Sequence, residues 1–150
     1  MGFEILDISG DIGLRVSGKD IKEVFINAAK GLYSLITDLS SVRPERALTI
    51  EVKDDNLEGL LVSFLNELIF QFDTYGFIGS SISIEGNMED HFKLTPPTSA
   101  TFLWLKAIIM GEAFDPNRHE RGLLVKAATY HNLKIFKNGD MWQAEVIFDI

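Results

Sequence analysis

Carboxylates near the two ends of the chain are the residues with the clearest chemical potential. Asp11 follows a glycine at the start of an alternating segment, and Asp149 closes another such segment, one residue before the carboxylate of Ile150. Both aspartates fall on the polar face of their expected strand. If those strands are sheet neighbours, the side chains of Asp11 and Asp149 converge, with the terminal carboxylate of Ile150 and, further off, Asp7 able to join them. Anions held close repel one another unless a cation, a donor or water relieves them. A donor set made only of oxygen suits a hard divalent cation, calcium or magnesium, with manganese possible. The competing reading is that an aspartate at a strand end serves as a turn or cap residue.

A second group lies in the stretch 111–122, which gathers Asp115, Arg118, His119, Glu120 and Arg121 between two glycines. Surface loops carry function more often than cores do. Other chemistries find little support. His91, His119 and His131 are isolated, and the absence of cysteine removes thiolate ligands, cysteine nucleophiles and disulfides. There is no phosphate-binding loop, dinucleotide fingerprint or serine nucleophile elbow.

Hydrophobic periodicity says which elements must hold these groups. Phe3 to Ile8 and Asp11 to Ser17 read as strands joined at Ser9–Gly10, with Ile12, Leu14 and Val16 inward and Asp11, Gly13 and Arg15 outward. Asp20 and Glu23 form a capping-box pair opening a helix whose stripe runs from Ile21 to Ile36. Ala47 to Lys53 alternates as a strand. Asp55 with Glu58 opens a second helix, striped from Leu57 to Phe72 and closed by Gly76. Phe77 to Glu85 is a strand, 86–97 a loop, and Thr101 to Met110, apolar on both faces, a central strand covered on both sides. Leu123 to Tyr130 and Leu133 to Lys137 are further strand material, and Asn138–Gly139 marks a hairpin into a final strand, 141–150, packed to its end. Few helices and clustered strands give an α+β fold, with largely antiparallel sheet and both helices on one side.

The 150 residues, 46% of them hydrophobic, suffice for one globular domain. A formal net charge of −8 disfavours strong direct binding of nucleic acid through phosphate neutralisation. No stretch is long enough for a membrane span, no N-terminal signal is visible, and the missing cysteines fit a reducing, cytoplasmic setting.

Read together, three sets of residues resemble the archease family. They are Asp7-Ile8-Ser9-Gly10-Asp11-Ile12-Gly13-Leu14-Arg15-Val16 near the start, and Phe114-Asp115-Pro116, His119, Arg121-Gly122, Val125-Lys126-Ala127, Thr129-Tyr130-His131 and Leu133-Lys134 in the centre. Trp142 and Val146-Ile147-Phe148-Asp149-Ile150 complete the set at the end. The resemblance covers essentially the whole chain, 1–150, as one archease-like domain of strand-helix-strand-strand modules, one lodged in another. It implies a non-catalytic activator of the GTP-dependent tRNA-splicing RNA ligase, promoting ligase guanylylation and multiple turnover. It places the metal ligands at Asp11, Asp149 and the Ile150 carboxylate, and a functional lysine at Lys126. Lys126, Arg121 and His119 are then the candidates for meeting the ligase. One departure stands out: Ile8 occupies a position where the family usually has histidine. Two other classes compete with this reading, a metal-dependent phosphoester hydrolase and a metal-free protein-interaction domain.

Overall fold

The computed structural model describes residues 2–89 and 102–150. The first alternating segments form an antiparallel hairpin of β1 (Phe3–Ile8) and β2 (Asp11–Gly18). Its turn residues Ser9 and Gly10 have φ of 37° and 93°. Left-handed backbone at both central positions is what a type I′ turn requires, and glycine adopts it without steric cost. Next comes α1 (Ile21–Ile36), capped by Asp20, whose carboxylate accepts from the Glu23 N–H at 2.8 Å. Glu23 reaches back to the N–H of Lys19 at 3.3 Å, one residue before the cap, so the helix start is bonded in a box-like way rather than as a closed box.

A short 3-10 turn (Leu39–Ser41) leads to β3 (Arg46–Asp54), α2 (Leu57–Tyr75), β4 (Phe77–Gly86) and β5 (Leu103–Ala113). The cap of α2 is Asn56, which accepts from the Gly59 N–H at 2.7 Å, not Asp55 as expected. Asn56 wins because Asp55 is still in the bend after β3, where its own N–H is taken by Asp54 at 2.8 Å. Gly76 ends the helix in the left-handed region, φ 70°, as expected. The chain closes with β6 (Ala127–Ala128), β7 (Lys134–Asn138) and β8 (Met141–Asp149). The final hairpin is present with its loop one residue later than the Asn138–Gly139 signal. Asn138 pairs with Met141, and Gly139, φ 65°, takes the first loop position.

The strands form two antiparallel sheets. One has the order β1-β2-β8-β6, with β7 also paired to β8; the other is β3-β5-β4. The unit β3-α2-β4-β5 is a strand-helix-strand-strand module, and it interrupts a second one made of β2, α1, β7 and β8. The α+β class and the nested modules therefore stand. The helices serve two sheets rather than one. α1 packs on β2 and β4, and α2 on β3 and β6, so each touches both sheets. Their apolar arcs are wider than a single stripe: α1 also buries Ala29 and Tyr33. Phe25 and Phe64 stack at 6.1 Å where the helices meet, inside a core drawn from both modules.

Three further expectations change. β5 is central in its sheet but covered on one face only. Leu105, Ala107 and Ile109 are fully buried, while Trp104 and Ile108 are 40% and 43% exposed. Strand material in 123–130 shrinks to Ala127–Ala128, because the preceding backbone bonds to α1 instead of a strand. The last strand packs through Phe148, and Ile150 is 38% exposed. The expected loop 86–97 lies outside the described residues from Asp90 onward, as do His91 and Thr101.

Candidate functional site

The outer face of the first sheet is ordered in rows by strand register. Glu4 pairs with Arg15, Arg15 with Glu145, and Glu145 with Lys134. The ions follow the same path, at 2.6, 3.7 and 3.4 Å across four strands. Exposed pairs of this kind each contribute well under about 1 kcal/mol, but together they favour one register. The next row is apolar: Leu6, Gly13 and Ile147. A cavity of about 430 Å³ opens here, lined by Leu6, Ile8, Gly13, Leu133 and Ile147 among others.

The third row holds the acids. Ile12 pairs with Phe148, so Asp11 and Asp149 stand one residue further along neighbouring strands, on the face opposite those core residues. Ala127 pairs with Asp149, and the Lys126 N–H donates to the Asp149 carbonyl at 2.8 Å. The strand order β2-β8-β6 thereby brings Asp11, Asp149, Ile150 and Lys126 to one end of one sheet. Asp7 pairs with Ile12 and so lies on the other face, apart from the acids. Ile8 pairs with Asp11 and shares its face, so the departure from the family pattern falls beside the acids. A β-carbon on Gly13 would meet the Ile8 Cδ1 at 3.0 Å, which shows the isoleucine folded over the glycine. Asp149 and Lys126 are exposed and Asp11 half-buried.

As a cation site the donors are oxygens only, which fits a hard divalent ion. Among the described residues no three His, Asp or Glu side chains converge, so a site here could draw on no more side chains than the pair Asp11 and Asp149. Calcium takes about 6–8 oxygens. These two aspartates with the Ile150 carboxylate would hold one face of the ion, leaving the rest to water or to a partner's oxygens.

The loop candidates part ways. Arg121 is exposed, with its guanidinium over the Phe114 ring at 5.5 Å. His119 does not face a partner: it is 2% exposed, stacked on Phe114 at 5.2 Å. Its Nδ1 accepts from the Asp115 N–H at 2.8 Å, and its Nε2 lies 3.1 Å from Glu112. A backbone N–H can only donate, so Nδ1 carries no proton and Nε2–H donates to the carboxylate. Both ring nitrogens are engaged, which leaves His119 no free lone pair to act as a general base.

Glu112 is the residue the sequence reading passed over. It is 5% exposed and accepts from the Arg43 N–H at 2.5 Å, from Arg118 and from His119. Burial by itself would push its carboxyl up. The hydrogen bonds from Arg43, Arg118 and His119 and the Arg118 charge outweigh that and hold it at about 2. Arg118 also donates to the Ser41 carbonyl at 2.8 Å, which ties the loop to the segment after α1. No signal in the letters marks Glu112, because it falls just past the expected strand end at Met110, and only the observed extension of β5 to Ala113 buries it. The loop then docks on α1: Gly122 and Leu123 donate to the carbonyls of Ile36 and Leu35 at 2.7 and 2.8 Å. Thr37 Oγ1 donates to the Glu120 carbonyl at 2.6 Å. Carbonyls that the helix end would leave unpaired are satisfied from across the fold.

This is a two-module α+β protein whose first sheet ends in a pair of aspartates beside a lysine. The model of the Archease protein family matches residues 3–150. The Protein archease of Sulfurisphaera tokodaii is 31% identical over 148 residues, covering 99% of this chain and 98% of that one. That of Methanopyrus kandleri is 32% identical over 151 residues and covers both chains fully, at 100% each. The solution structure of Methanobacterium thermoautotrophicum Protein 1598 superposes with a TM-score of 0.79 at 30% identity, covering 99% of each chain. The fold is also that of a Thermotoga maritima crystal structure described as an archease, possible chaperone, with a TM-score of 0.64 at 21% identity over 97% of this chain and 94% of that one. The chain belongs to the archease family.

No helix among the described residues is long and apolar enough to cross a membrane.

Proposed function

We propose that the acidic end of the first sheet is the working end of an accessory protein. There it holds a divalent cation, calcium first, and acts on the GTP-dependent tRNA-splicing RNA ligase, promoting ligase guanylylation and repeated turnover. The observation that supports this reading is the β2-β8-β6 order, in which the backbone of residues 11, 126, 149 and 150 comes to one end of one sheet. Two aspartates alone repel; a cation relieves them and leaves open positions that a partner's carboxylate or phosphate oxygens can complete. Lys126, exposed next to the tail, adds a positive charge suited to a phosphate of the nucleotide or RNA that the ligase holds. The protein itself, at a net charge of −8, contributes little nucleic-acid affinity, so the encounter is one of protein with protein.

The test is ligation by a cognate splicing ligase at limiting concentration, with and without this protein. Asp149→Ala is expected to abolish stimulation while the variant keeps its circular dichroism spectrum and cooperative melting; undiminished stimulation rejects the site. Calcium titration gives a second readout. A ligand that binds only the folded state stabilises it by about 2.7 kcal/mol at a hundredfold excess over Kd. The melting temperature should therefore rise for the unaltered protein and stay fixed for Asp149→Ala.

A further inference from the structure

We infer that Asn66, on α2 of the inserted module, is a positioning residue that holds Lys126 and the chain end in their working arrangement. This rests on the reading of that sheet end as the working end. β6 is only two residues long and forms a margin of its sheet. On one side it meets β8: Ala127 and Ala128 pair with Asp149 and Phe148, and the N–H groups of Lys126 and Thr129 donate to Asp149 and Ile147 at 2.8 and 3.0 Å. On the other side no strand follows among the described residues. There the Asn66 side chain accepts from the Ala128 N–H at 2.8 Å and donates to the Ala128 carbonyl at 3.2 Å.

The primary amide thus does what a further strand would do. It offers one acceptor and one donor, at the spacing of a peptide group, to the two backbone groups of Ala128 that turn away from β8. Only the amides of asparagine and glutamine present a carbonyl acceptor and an N–H donor side by side as a peptide group does, and glutamine is a methylene longer. Two paired residues are a weak strand by themselves, so a fixed second side matters more here than in a long ladder. The clamp is also a link between the modules: α2 belongs to 46–113, whereas β6 and β8 belong to the outer unit. The position of Lys126 relative to Asp149 is therefore set from outside its own sheet.

The test uses the full chain with Asn66→Ala, and Asn66→Asp as the variant that keeps the acceptor but loses the donor. Amide hydrogen exchange of Lys126 and Thr129, whose bonds go to β8 and not to Asn66, should accelerate about tenfold or more on loss of two hydrogen bonds. Amides of β3 and β5 serve as the control and should change far less. Ligase stimulation should fall for Asn66→Ala, yet show no additional loss when Asn66→Ala is added to Lys126→Ala. Unchanged exchange at Lys126 and Thr129 overturns the inference whatever the ligase does. Accelerated exchange with full stimulation, where Lys126→Ala alone reduces it, also overturns it. If Lys126→Ala and Asp149→Ala both leave stimulation intact, the working end is misassigned, and the exchange data alone then decide whether Asn66 fixes β6.

Discussion

Replacing Glu112 by glutamine tests how the 114–121 loop is held. Both carboxylate oxygens of Glu112 accept hydrogen bonds only: one from Arg118, the other from the Arg43 N–H, with His119 Nε2 at 3.1 Å. An amide must turn its NH2 toward one of these donors, and Arg118 loses its counter-charge. A carboxyl held at about 2 instead of 4.5 corresponds to about 3 kcal/mol of preference for the charged form in the fold. Breaking a buried pair costs a similar ~3–5 kcal/mol. The Arg118 side chain keeps 30% exposure, and water recovers part of that loss, which leaves about 2–3 kcal/mol. For a chain of this length that is roughly 5–10 °C in melting temperature. The pH dependence has a definite sign. The folded-state pKa is depressed, so this stability is fully present above the unfolded value of 4.5 and is lost as pH falls toward about 2. Thermal melts of both proteins should differ most at neutral pH and converge below pH 4.5. A variant that melts with the unaltered protein at pH 7, or a gap that stays constant down to pH 2.5, would refute the reasoning.

Two other substitutions probe the packing. The Tyr33 hydroxyl is buried with no hydrogen-bond partner among the described residues, and burial pushes its pKa up. Tyr33→Phe should therefore raise stability by about 1 kcal/mol in urea unfolding, and a loss of that size would mean the hydroxyl is paired. A β-carbon at Gly122 would sit 2.4 Å from the Leu35 carbonyl oxygen. Gly122→Ala should thus push the segment off the end of α1, costing about 2 kcal/mol for two broken hydrogen bonds and exposing the Leu123 amide to exchange. Protection at Leu123 equal to that of the unaltered protein would show that the contact is not tight.

The ends of elements were legible where one local interaction decides them. Asp20 with Glu23, Gly76 at φ 70° and the Ser9–Gly10 turn all sit within a few residues of what they control. Asn56 displaced Asp55 because adjacent residues both carry cap chemistry and only backbone direction chooses between them. His119 was misjudged for a different reason. A histidine among charges looks exposed in a string of letters, and what buries it is Phe114 stacked on the ring and Glu112 at the end of β5. Asn66 gave no sign at all, since an amide in an amphipathic helix is indistinguishable from a solvated one until β6 lies beside it.

By itself the sequence determined the alternation that makes strands and the apolar arcs that make helices, which depend on residues close in the chain, and the α+β class and the family pattern, which follow from the order of such local segments. Only the tertiary structure decided that the strands divide into two sheets, that each helix serves both, and that the backbone of residues 11, 126 and 149 comes to one end of one sheet. The physical reason is that strand pairing is a choice among partners far apart in sequence. That choice is settled by how two helices and two sheets bury their apolar faces together, and no window along the chain contains it.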